Sequence, residues 1–185
     1  IMPIGKLAKE KSVLQQVVQI LKRHRDIMFR NDHDDKPISI IITTLAAKAY
    51  QGEENLVQAL CNVVNRMSLF IHKNDRNEYV VENPVNPEEN FADKWPTHPR
   101  RQQNFFRWLE AVGNDLNEIF RSKGPRLREK LGKAVGPDVA ALVSKSLIDN
   151  HQTDIRNGIA KVSATGTVGA IGKTLNASNC FFGEE

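Results

Sequence analysis

Apolar residues at Val13, Leu14, Val17, Val18, Leu21 and Met28 recur at steps of three and four, which predicts a helix over 12–29 capped by Ser12. Leu56, Ala59, Leu60, Val63, Val64, Met67 and Phe70 keep the same period and predict an amphipathic helix over 54–71. The span 38–50 carries two signals, because Ile40, Ile41 and Ile42 favour a strand while Leu45 to Ala49 favour a helix. Its length decides for a helix, with Ser39 near the N-terminus and Gly52 ending it. Beyond Pro96 and Pro99, the residues Phe105, Phe106, Trp108, Leu109, Val112, Leu116, Ile119 and Phe120 predict the strongest core-forming helix of the chain. A short helix follows from Pro125 to about residue 134, and after the Gly136-Pro137 break another covers 138–149.

Between the third and fourth of these helices the period fails. Residues 72–78 read as a loop and Tyr79-Val80-Val81 as a short β-like run, followed by Asn83-Pro84-Val85-Asn86-Pro87-Glu88-Glu89-Asn90. Each proline removes a backbone donor and restricts the residue before it, so no helix runs through 83–87. The segment is expected to be a rigid, extended connector that ends in the core through Phe91 and Trp95. Asn83, Asn86 and Asn90 can bond nearby backbone groups, and a capped loop between helices fits the same residues. From about Gly158 the composition turns to Gly, Ser, Thr and Ala. The expected organisation is therefore a mainly α domain over 1–157, a helical bundle with at most a short strand or hairpin near 79–82, and a flexible tail over 158–185.

The 185 residues suit one domain with a sizeable core, and 40% hydrophobic with 26% charged is the make-up of an ordinary soluble globular protein. A net charge of +4 fits phosphate or nucleic acid without demanding either. Cys61 and Cys180 form no CxxC motif, no signal peptide opens the chain and no apolar run is long enough for a membrane span. A reduced, cytoplasmic protein with no membrane partner is expected. Ile1 is no natural start residue, so the numbering is expected to begin inside a longer protein.

Candidate chemistry is sparse. Asp32 and Asp34 have the spacing of a metal-binding pair, but they sit in a polar loop with no preceding Gly-Ser and no apolar strand to hold them. The five histidines form no HExxH or zinc-finger spacing, Gly166, Gly169 and Gly172 form no GxGxxG after a strand, and no GxSxG is present. No catalytic residue and no metal site is expected within the chain. Lys22-Arg23-His24-Arg25-Asp26 is the densest basic stretch, either charge placed well near the C-terminal end of a helix or a grip for phosphate.

Taken in order, three pieces resemble the C-terminal helical half of the bacterial cGAS/DncV-like nucleotidyltransferases, the CD-NTases, of the polymerase-β branch that includes oligoadenylate synthases. Gln19-Ile20-Leu21-Lys22-Arg23-His24-Arg25-Asp26 is similar to the family's Leu-Lys helix; Lys36-Pro37-Ile38-Ser39-Ile40-Ile41 is similar to its serine at a helix start; and the third is the Asn-Pro-x-x-Pro-x-x-Asn connector. The resemblance implies an oligoadenylate-synthase-like C-terminal domain in which Lys22, Ser39 and, more weakly, Arg25 contact the phosphates of a nucleoside triphosphate. It implies a full-length enzyme that makes cyclic di- or trinucleotide messengers in CBASS antiviral defence, with Mg²⁺ held by an N-terminal catalytic half. Where the family often has an aromatic residue after the serine to stack a base, this chain has Ile40. Some of these cyclases are conjugated at the C-terminus by a ubiquitin-ligase-like partner, which implies Gly183 as the attachment residue although Glu184 and Glu185 follow it. Two other readings stay open. One is a helical interaction module docking a partner through Phe181, Phe182 and Gly183. The other is an accessory domain of an RNA-terminal nucleotidyltransferase, in which Lys22 to Arg25 and Arg100-Arg101 meet nucleic acid. The last has no aromatic-interleaved basic strand behind it, so nucleic acid is the least supported partner.

Overall fold

The structure is a computed structural model that describes residues 11–121, 125–137, 139–141 and 143–144, together with the backbone of 160–162 and 168–170. Its helices are α1 (Val13–Met28), α2 (Ser39–Ala49), α3 (Leu56–Met67), α4 (Pro99–Arg121) and α5 (Pro125–Val135), and a 3₁₀ turn (Ser68–Phe70) extends α3. Helical backbone is seen again within 137–144, while 145–149 of that expected helix lie outside the described residues. Two antiparallel ladders complete the set: β1 (His72–Lys73) with β2 (Tyr79–Val80), and β3 (Ala160–Val162) with β4 (Val168–Ala170). The architecture is the mainly helical one expected.

The caps explain the boundaries. Ser12 Oγ accepts from the backbone N–H of Gln15, whose side chain accepts from the Ser12 N–H, a reciprocal box that starts α1. Asn55 caps α3 by accepting from the Gln58 N–H, so the helix begins at Leu56, where its apolar period starts, and two residues later than the expected 54–71 span. α1 lies against all four other helices. Its buried stripe of Val17, Ile20 and Leu21 meets Ile41, Ile42, Leu45 and Ala46 of α2, the Leu60–Val64 face of α3, and Leu116 and Ile119 of α4 in one continuous core. Phe105, Trp108 and Trp95 give that core its aromatic end, with ring centroids 5.4 and 5.7 Å apart.

Two expectations about irregular segments need correction. Residues 72–78 are not a plain loop: His72 pairs with Val80 and Lys73 with Tyr79, and the turn between is held by Asn74, whose side chain accepts from the N–H groups of Arg76 and Glu78. The segment after β2 is not extended either. It folds back, so that Glu82 bridges Asn90 and the Asn83 N–H reaches the Glu89 carbonyl at 2.9 Å. The prolines prevent a helix, as expected, but nothing prevents a closed turn, and Asn83 stabilises one by accepting from the Val85 N–H. Val85 projects at its tip, 90% exposed. The ladder of β3 with β4 falls inside the stretch expected to be a flexible tail, whose remaining residues lie outside those described.

Candidate phosphate-binding site

The site is assembled where the C-terminal half of α1 meets the start of α2. Successive residues of a helix fan round its axis at 100°, so the five-residue basic stretch on α1 cannot face one way. His24 and Arg25 point into the protein, 4% and 5% exposed, Arg23 packs beside Gly136, and Lys22 is half-buried on the face it shares with Arg25 and Asp26 one turn on. These side chains therefore do not share one cationic face.

Arg25 organises the site. Its Nη1 donates to Ser39 Oγ at 2.8 Å and to the Pro37 carbonyl at 3.0 Å, while Nε and Nη2 donate to Asp26 Oδ1 at 3.0 and 2.7 Å. Lys36 Nζ stands 3.6 Å from the same Asp26 oxygen. A guanidinium committed to four such bonds holds Ser39 in place more readily than it receives a ligand. Pro37 fixes the backbone before the helix, and Ile38, the capping residue of α2, is in extended conformation with no side-chain cap. The first intrahelical bond runs from Ile42 to Ile38, which leaves the N–H groups of Ser39, Ile40 and Ile41 without helical acceptors. Ser39 and Ile40 are exposed. Three free donors, a hydroxyl held by a buried arginine and the positive end of a helix dipole favour an anion at this point.

Lys22 makes no hydrogen bond or ion pair among the described residues. Arg25 holds Ser39, and neither Lys22 nor Ser39 is sealed from solvent. The other candidates are placed differently. Arg100 lies 3.9 Å from Asp32 and 3.5 Å from Asp35, and Arg101 lies 3.7 Å from Asp35, so the acidic loop and the arginine pair balance each other. Among the described residues no three His, Cys, Asp or Glu side chains converge as a metal site would require. Gly183, Phe181 and Phe182 lie outside the described residues. What the sequence reading missed is the support of the site: Asp26 as the carboxylate that orients Arg25, and Lys36 completing the pair. The only signal for it was a carboxylate directly after an arginine.

No family model matches the chain. A c-di-GMP synthase of Roseivirga ehrenbergii is 29% identical over 188 residues, covering 98% of this chain and 49% of that protein. The cyclic dinucleotide synthase CdnG of Bradyrhizobium diazoefficiens is 29% identical over 108 residues, which is 57% of this chain and 26% of that one. The solved structure of the Bradyrhizobium CD-NTase CdnG in complex with GTP superposes with a TM-score of 0.57 at 26% identity, over 75% of this chain and 40% of that one. The chain is similar, in sequence and in fold, to bacterial CD-NTases. It spans about half the length of the Roseivirga c-di-GMP synthase and less of the Bradyrhizobium CdnG, which is consistent with its being one half of such a protein. No helix among the described residues is long and apolar enough to cross a membrane.

Proposed function

We propose that this chain is the substrate-binding, C-terminal half of a cyclic oligonucleotide synthase that joins nucleoside triphosphates into a cyclic dinucleotide messenger. The observation that carries the reading is the start of α2 without a side-chain cap, where Ser39 is held by a buried Arg25 on the helix that also carries Lys22, which has no partner among the described residues. In this reading the triphosphate lies across Ser39 Oγ and the N–H groups of Ser39 to Ile41, with the Lys22 ammonium neutralising its charge. Arg25 positions the hydroxyl. GTP is the substrate that the relatives favour, since one is named as a c-di-GMP synthase and another was solved in complex with GTP. In this reading Mg²⁺ would belong to the catalytic half of the whole enzyme, as the family resemblance implies. Cytoplasmic action in antiviral defence rests on the family resemblance, as does conjugation at Gly183 by a ubiquitin-ligase-like partner.

The test is Lys22→Ala in the enzyme carrying both halves. Removing a charge-assisted phosphate contact should lower kcat/KM for cyclic dinucleotide synthesis by roughly tenfold or more, since such bonds contribute about 1.5–3 kcal/mol. Fold and melting temperature should not change. Synthesis undiminished by Lys22→Ala would overturn the assignment.

A further inference from the structure

We infer that Asp26 is a positioning residue of the phosphate seat, acting through Arg25 on Ser39, and this rests on the nucleotide reading of that seat. A carboxylate beside an anion-binding point ordinarily opposes the anion by Coulomb repulsion. Asp26 is 41% exposed at its side chain and lies on the face of α1 that carries Lys22. On charge alone, its removal should therefore strengthen binding. The hydrogen bonds it makes point the other way.

A guanidinium carries its N–H donors in one rigid plane, so fixing one edge fixes the other. Asp26 Oδ1 accepts from Arg25 Nε at 3.0 Å and from Nη2 at 2.7 Å, and that edge sets the plane. Lys36 Nζ, 3.6 Å from the same oxygen, adds charge compensation but no bond that orients Arg25. The Nη1 group at the opposite edge then meets the Pro37 carbonyl at 3.0 Å and Ser39 Oγ at 2.8 Å. Arginine can only donate, so the Ser39 hydroxyl is the acceptor of that bond and its own proton is turned away from Arg25. That proton has no acceptor among the described residues, and Ser39 is exposed. The hydroxyl is thereby committed to donate outward, which suits a phosphate oxygen. Without the Asp26 carboxylate the guanidinium keeps only its Nη1 contacts and loses the bonds that hold its plane. Ser39 then loses the partner that fixes the direction of its proton.

The experiment uses the enzyme carrying both halves and a GTP analogue whose α–β bridge is a methylene, so that it binds without being consumed. Ser39→Ala should weaken binding of the analogue by roughly fivefold to tenfold. Asp26→Asn should weaken it by about fivefold, although it removes a negative charge from beside the anion. In the Ser39→Ala background the same change should no longer weaken binding and should strengthen it slightly, because only the charge effect is left. A merely structural Asp26 would lower affinity equally in both backgrounds. Asp26→Glu keeps the charge and moves the carboxylate by one methylene, and should weaken binding by about twofold to threefold. It decides the matter alone should Asp26→Asn not fold, with wild-type affinity then overturning the role. Unchanged or tighter binding in Asp26→Asn, or a loss that persists in the Ser39→Ala background, would overturn the positioning role and leave the nucleotide reading standing. Ser39→Ala without effect would overturn both.

Discussion

Asn90 satisfies three backbone groups that no ladder reaches. Its Oδ1 accepts from the N–H groups of Val81 and Ala92 at 2.9 and 2.8 Å, and its Nδ2 donates to the Tyr79 carbonyl at 3.0 Å. One side chain thereby closes the base of the 83–89 loop and fixes where Trp95 enters the core. Asn90→Ala leaves all three groups without that partner in a half-buried setting and should cost about 2–3 kcal/mol. Urea unfolding would show this as a lower midpoint at an unchanged slope. Asn90→Asp keeps the acceptor, loses the donor to Tyr79 and should fall between wild type and Asn90→Ala. The architectural role of this asparagine was legible in the sequence from its place after two prolines. The role of Arg25 was not, because a buried arginine and a ligand-binding one look alike until the partner groups of Pro37 and Ser39 are brought beside it.

Helix α2 shows why the elements were unevenly legible. α1, α3 and α4 each bury one stripe and leave the opposite face polar, so the period of 3.6 stands out in their sequences. α2 buries Ile41, Ile42, Thr44, Leu45, Ala46 and Ala49, nearly all round, and the run of isoleucines then reads equally as a strand. The helix ends at Tyr50, and the turn to α3 passes through Gly52 at φ +87°, a conformation that favours glycine. Glu53 ties this turn together. Its carboxylate accepts from Asn62 Nδ2 at 2.8 Å and the Gln51 N–H at 3.0 Å, and its carbonyl accepts from the Tyr50 hydroxyl. Burial pushes the Glu53 carboxyl upward, but the bonds from Asn62 and the backbone N–H groups of Glu53 and Gln51, with Arg66 nearby, together outweigh it and hold its pKa below 4.5. The ionised form is therefore favoured in the folded state, and its contribution to stability is complete above about pH 4.5 and lost as pH falls through the lower folded value. The stability gap between wild type and Glu53→Gln should be constant from neutral pH to about pH 5 and close below pH 4.5, as read from urea melts across that range.

At the scale of the whole molecule, the bundle closes where α5 ends against α1, a contact that no local pattern announces. Of the short ladders only the strand at Tyr79–Val80 was legible, as a β-like run; its partner and the second ladder were not, because His72 and Lys73 are polar and 160–170 is rich in small residues, so neither stretch alternates apolar with polar. The Gly136-Pro137 pair, by contrast, announced the break after α5 but not what that break touches. Gly136 has φ +78°, its N–H returns to the Gly132 carbonyl at 3.0 Å, and a Cβ there would lie 3.2 Å from Arg23 Nη2 and 3.6 Å from Ile27 Cδ1. Both neighbours belong to α1, so one backbone position sets the end of α5 and its approach to the central helix. Gly136→Ala meets two penalties. The left-handed backbone costs about 1–2 kcal/mol for a residue with a Cβ. The crowding of Arg23 adds less, because a guanidinium at the end of a flexible side chain can move by the few tenths of an ångström required. Melting temperature should fall by roughly 2–6 °C for a chain of this size. A double-mutant cycle separates the two terms: combined with Arg23→Ala, the Gly136→Ala loss should shrink only slightly if backbone strain dominates. A loss that vanishes in the Arg23→Ala background would place the cost in the α1–α5 contact instead.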